Sequence, residues 1–135
     1  MRRTALPAAL AAACLMTLCG SAAADWVYVG GNATTTAYFD PMAMRRSGDG
    51  MVQMLSLADL SSPQRPDPAA KPFLSSASQS EFDCGNAEAR LVAYRWYAGN
   101  MGRGEVVYSD SAQEDWAPVQ PGTLFAALLK LACNR

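Results

Sequence analysis

Glu81 and Asp83 stand two residues apart in "SEFDC". On a strand that spacing puts both carboxylates on one face, the minimum arrangement for paired acid and base work. Glu114 and Asp115 make a second acidic pair. The chain contains no histidine, which removes the commonest general base, the usual serine and cysteine relays, and the commonest metal ligand. Carboxylates would have to work alone, and exposed acids are mostly solvated surface charge. Both pairs are therefore read as surface charge, with no catalytic residue, no metal site and no cofactor expected. "GNMGRG" (Gly99 to Gly104) superficially suggests a phosphate loop, but it lacks the Lys-Ser/Thr ending and a following helix, and reads as a hairpin turn. Trp26, Trp96 and Trp116 could form an aromatic cage; in a small sheet domain they are expected in the core.

The remaining reactive groups are cysteines, and their chemistry depends on where the chain resides. Met1-Arg2-Arg3 is followed by an apolar run from Ala5 to Cys19 and then by small residues with Ala22 and Ala24 in an A-x-A site. That is the order of a secretory signal, cleaved after Ala24. The run is too interrupted, at Pro7, Thr17 and Gly20, to favour a membrane span. Cys14 and Cys19 lie inside the leader. Leu18 before Cys19 is wrong for lipidation, and cutting before Cys14 leaves a very short core, so lipidation is not expected, though the residues leave it open. Residues 25–135 then form one domain. It keeps 9 of the 11 basic residues and all 12 acidic ones, a net charge of −3. A mildly acidic chain is poorly suited to nucleic acid or to an anionic membrane. Cys84 and Cys133 are the cysteines left, and an oxidising compartment favours their pairing over two free thiols.

The elements that must carry these residues are mostly strands. "DWVYVGG" and "TTTAYFD" are rich in β-branched and aromatic residues, with Gly30-Gly31-Asn32 as the turn between them. Asp40-Pro41 is expected to break the second strand, because proline brings no N–H to a ladder. After the turn "SGDG" (Ser47 to Gly50), the apolar residues of "MVQMLSLADL" (Met51 to Leu60) do not alternate cleanly and would also suit a helix, but the glycine turn feeding the segment favours a central strand. From Ser61 to Ser80 there are four prolines and six serines, which predicts a long flexible loop. "EARLVAYRWY" follows, with Val92, Tyr94 and Trp96 assigned to one face and Leu91, Ala93, Arg95 and Tyr97 to the other. "EVVYSDS" is a further strand with Val106 and Tyr108 on one face. In "WAPVQPGTLFAALLKLACNR" the prolines and Gly122 stop any strand, Thr123 caps a helix, and Leu124, Leu128 and Leu131 recur at helical spacing. The fold class expected is α+β: an antiparallel sheet of about six strands with a C-terminal helix packed on it.

"YFDP" (Tyr38 to Pro41), "GDGMVQM" (Gly48 to Met54), "SEFDC" (Ser80 to Cys84), "GEVVYS" (Gly104 to Ser109) and "WAPVQPGT" (Trp116 to Thr123), followed by a helix that ends in cysteine, together resemble the bacterial surface-adhesin protein E family. The match runs from about Trp26 to Cys133. It implies six antiparallel strands, a helix docked on them, and a Cys84–Cys133 disulfide. The family takes its name from an outer-membrane adhesin that binds host extracellular proteins and can dimerise. The expectation is thus an exported, non-enzymatic binding protein in the periplasm or at the outer-membrane surface of a Gram-negative envelope. Its partner would be a host extracellular protein or a second copy of itself. The alternative is a soluble periplasmic accessory protein without adhesin activity. No individual binding residue is identified; the Ser61–Ser80 and Arg45–Gly50 segments are the candidate contact regions.

Overall fold

The computed structural model describes residues 24–111 and 113–134. The leader reading, including Cys14 and Cys19, falls almost wholly outside them. Strands β1 (Val27–Gly31), β2 (Thr35–Gly48), β3 (Met51–Gln64), β4 (Phe73–Asp83), β5 (Glu88–Tyr97) and β6 (Val106–Asp110) pair antiparallel in chain order. A two-residue strand β7 (Ala117–Pro118) adds to β5, and helix α1 spans Leu124–Cys133. Consecutive hairpins account for this order, since short turns can join only antiparallel neighbours. Side-chain acceptors fix three of the turns. Asn32 Oδ1 accepts from the Thr34 and Thr35 amides, Asp67 Oδ1 from Ala69 and Ala70, and Asp83 Oδ1 from Gly85 and Asn86. Such local bonds are why Asn and Asp favour turns.

Several expectations are corrected here. β2 continues through Pro41 to Gly48. The ladder to β3 skips between Asp40 and Arg45, and Asp40 Oδ1 accepts from the Met42 amide at 2.9 Å. Proline sits where no ladder bond is required, so the strand bends rather than ends. The predicted Ser61–Ser80 loop is mostly strand. β3 runs to Gln64 and β4 starts at Phe73, so only residues 65–72 connect them. Ser75 and Ser80 are fully buried, their small side chains admitting close neighbours on either face. β7 contains the Pro118 that was expected to forbid a strand; it pairs along one edge only, where a missing N–H is tolerated.

Cross-strand partners share a face, so the register separates two surfaces. Met54 pairs with Ser80, Val52 with Phe82, and Phe82 with Ala89. This face meets the helix, and the core is Phe39, Met54, Phe82, Ala89 and Leu128. Leu55 opposes Gln79 and Leu57 opposes Ala77 on the other surface. β3 failed to alternate cleanly because both faces are covered: Met54 and Leu57 are each 1% exposed, on opposite sides. A bulge at Val92 places Leu91 opposite Ser80 but Ala93 opposite Gln79. Leu91 therefore joins Tyr94 and Trp96 on the helix side, contrary to the expected alternation. A second bulge at Val107 pairs Val106 with Tyr97 and Tyr108 with Trp96. Val106 and Tyr108 thus face opposite ways. One inserted residue inverts every later assignment.

Thr123 caps α1 as expected, its hydroxyl accepting from the Ala126 amide at 3.2 Å. The helix packs over β1 to β4. Its buried seam is Leu128 with Leu129 and Ala132, while Leu124 and Leu131 stay 41% and 37% exposed. The predicted Leu124–Leu128–Leu131 stripe is therefore rotated. The Cys84–Cys133 disulfide, with Cα atoms 5.7 Å apart, joins the helix end to the end of β4. Beyond the helix, the same sheet face is covered by aromatics. Phe73 stacks on Trp96 at 4.4 Å, and Tyr108 lies 4.9 Å from Trp96.

Candidate binding site

The face turned away from the helix holds two side-chain arrays. The first surrounds Glu81 and Asp83, which are buried rather than surface charges. Arg90 Nε and Nη2 donate to Glu81 Oε1 at 3.0 and 2.6 Å, and Gln53 Nε2 donates to Oε2 at 3.4 Å. The Ser47 hydroxyl, Arg90 and Gln53 together hold the Glu81 carboxyl below its ordinary 4.5, against the opposing effect of burial. Asp83 accepts from Asn86 Nδ2 and from the Asn86 and Gly85 amides, and these bonds lower its pKa from 3.8. Both acids are committed to internal donors in their charged form. A general acid needs the opposite shift. Glu114 and Asp115 are exposed, as expected.

Arg90 also lies 4.3 Å over the Trp116 ring, and after amide reorientation the Gln113 carbonyl accepts from it. It thus ties the segment before β7 to the sheet. Replacing Arg90 by Met leaves Glu81 buried without the two guanidinium hydrogen bonds to Oε1, and should cost about 1.5–3 kcal/mol in urea unfolding. Arg90→Lys restores only part of this, because an ammonium cannot reproduce the guanidinium's paired donors. The carboxylates set the acid limit of stability. A depressed folded pKa contributes stability that is complete above the unfolded value and is lost as pH falls through the folded one. Urea midpoints should therefore be level near neutral pH and fall as pH drops below 4.5 and 3.8, with a shallower fall in Glu81→Gln.

The second array is a cleft of about 750 Å³, lined at its floor by Leu55, Ala77, Gln79 and Ala93. Small alanines on β4 and β5 leave the depression, which is of ordinary ligand-site size. One wall is the turn between β5 and β6, the segment expected to be a hairpin. It joins these antiparallel strands as a hairpin and folds down onto the sheet. Asp59 Oδ1 accepts from the Met101 amide at 2.7 Å and from Asn100 Nδ2 at 3.1 Å. The Ser75 hydroxyl donates to the Gly99 carbonyl at 2.6 Å and accepts from the Gly102 amide at 2.9 Å. Gly102 has φ +68 and rests against Leu57 and Tyr97, a conformation that favours glycine. Trp26, Tyr97, Arg95 and Arg103 complete the lining, with Ser109 and Asp110 of β6 on the far side. Tyr94 also borders this space, but its ring belongs to the aromatic cluster with Trp96 and Tyr108 on the helix side; desolvation, then Tyr108 and nearby acids, raise its phenol above 10.0.

The three tryptophans do not form a cage. Trp26 lines the cleft, Trp96 is in the aromatic stack, and Trp116 lies under Arg90. The Arg45–Gly50 hairpin tip is exposed throughout, whereas within Ser61–Ser80 only residues 61–69, 71 and 72 are, so that candidate region shrinks to the hairpin tip between β3 and β4. Ala93, Arg95 and Tyr97 share a face as the alternation of their strand predicts; Leu55, Gln79 and Arg103 carried no motif, and only the register and the folded turn bring them to that face. Among the described residues no cluster of three His, Cys, Asp or Glu side chains could hold a metal ion. None of their helices is long and apolar enough to cross a membrane.

The family model for surface-adhesin protein E matches residues 26–134, which includes the whole sheet, the cleft walls and the helix. The chain belongs to the surface-adhesin protein E family. Crystal form II of Haemophilus influenzae protein E superposes with a TM-score of 0.64 at 15% identity, covering 81% of this chain and 87% of that one. A further structure of Haemophilus influenzae protein E gives 0.63 at 15% identity, with 81% and 83% covered. The protein from non-typeable Haemophilus influenzae gives 0.62 at 14% identity, with 81% and 75% covered. At these identities the likeness establishes the fold. No curated protein matches the chain in sequence. As a surface-adhesin protein E domain, the chain has a sheet stapled by Cys84–Cys133 on one side and an open cleft on the other.

Proposed function

We propose that this protein is an exported, non-enzymatic binding protein of the surface-adhesin E type. Residues 1–24 are its cleaved leader and residues 25–135 its working domain. The partner is a host extracellular protein or a second copy of the same chain. The observation that supports this best is the sheet face away from the helix. It offers a cleft with aromatic, aliphatic and guanidinium groups at once, the mixture found where one protein engages another. β1 and β6 end the sheet, and terminal strands can accept a partner strand through main-chain hydrogen bonds. The two buried carboxylates are committed to internal bonds, which favours binding over catalysis.

The test uses the mature, oxidised chain against immobilised extracellular-matrix proteins by surface plasmon resonance, with sedimentation equilibrium on the same sample. Saturable binding to a matrix protein, or a defined dimer, is the expected result. A monomer that binds none of them would contradict the reading and favour a periplasmic accessory role.

A further inference from the structure

The charge in the cleft runs against the rest of the protein. The chain as a whole is net −1, yet two guanidinium groups, Arg95 and Arg103, line the cleft against one carboxylate, Asp110. Asp110 already has an interaction within the protein. Among the described residues the ion pairs are Lys71–Glu105 and Arg90–Glu81, and neither uses Arg95 or Arg103. Both arginines are exposed at the rim, while Leu55, Ala77, Ala93 and Tyr97 form a half-buried floor. Arg103 is held in place through its backbone: its amide donates to the Asn100 carbonyl and its carbonyl accepts from Gly99. Asp59 and Ser75 anchor the same turn to the sheet. The second cation therefore stands on a fixed support above the strand that carries the first.

We propose that this cleft binds an acidic peptide segment, with carboxylates taken by Arg95 and Arg103 and a neighbouring apolar side chain laid on Leu55 and Ala93 beside Tyr97. Guanidinium groups suit this task because they bind carboxylates through two parallel hydrogen bonds. A floor of small apolar residues rewards an aliphatic or aromatic side chain next to the charge. Charge complementarity favours a peptide over a neutral ligand, and rim cations flanking an open trough fit a segment that crosses it. The proposal deepens the reading of the protein as a binder of proteins and rests on it.

The experiment selects random heptapeptides on the mature, oxidised chain, then titrates the selected peptides into wild type and R95E/R103E by calorimetry. Selected sequences should concentrate Asp or Glu next to a large apolar residue. Their affinity should fall about tenfold or more in R95E/R103E, and comparably in Ala93→Phe, which fills the floor without changing charge. If R95E/R103E does not fold, R95Q/R103Q replaces it. Peptides without acidic residues, or acidic peptides that bind the variants as tightly as wild type, would overturn the proposal. So would competition by free benzoate at the peptide's own concentration, which would assign the cleft to small carboxylic acids. Matrix-protein binding that survives in R95E/R103E while the peptide result is negative would sink the cleft and leave the adhesin reading standing.

Discussion

Replacing Cys84 and Cys133 together by serine will lower the thermal midpoint by roughly 15–20 °C. The bridge closes a separation of 49 residues, and releasing a loop of that length returns chain entropy worth about 4 kcal/mol to the unfolded state. A domain of this size has only about 5–15 kcal/mol in total. The loss has a location as well as a size. α1 is ten residues long, too short to persist alone, and the disulfide fixes its last turn to β4. Scanning calorimetry of the double variant checks the first point. Hydrogen exchange checks the second, with α1 amides losing protection before those of β3 and β4.

Phe82→Ala will cost about 3–5 kcal/mol in urea unfolding. Phe82 is 0% exposed and stands beside Met54, Ala89 and Leu128 in the core under the helix. Its ring lies 6.2 Å from that of Phe125. Removing it opens a cavity at the junction of β4, β5 and α1, where backbone held by ladder bonds cannot collapse to fill the space. Phe125→Ala, on a residue 41% exposed, should cost much less. A similar cost for both would mean that the helix is not seated as described.

The sequence made the sheet legible where side-chain type dictates backbone. Runs of Val and Tyr gave β1, β5 and β6, the Thr run before Ala37 gave the start of β2, and the glycine turn feeding Met51 placed β3. Thr123 announced the helix because a hydroxyl just ahead of an apolar run satisfies an otherwise orphaned amide. The site was much less legible. The bulges at Val92 and Val107 leave no mark in composition, yet the first takes Leu91 off the face of Ala93, Arg95 and Tyr97 and the second parts Val106 from Tyr108. Ser75 and Ser80 looked like loop residues by type, but burial is set by what lies opposite. Asp59 and Ser75 gave no signal at all, since their partners are backbone groups of a turn about 40 and 27 residues away in the chain. Glu81 reads as a solvated acid because its partner Arg90 sits across a hairpin.

We propose that this family member is an exported binding protein that reaches the cell surface, so its location is the first thing to measure. Intact cells should be treated with trypsin, and the protein then recovered for mass spectrometry of its N-terminus and its disulfide. Digestion in unbroken cells, of a chain that begins at Asp25 and retains the Cys84–Cys133 bond, is the predicted result. Complete protection until the outer membrane is opened would contradict it and confine the protein to the periplasm.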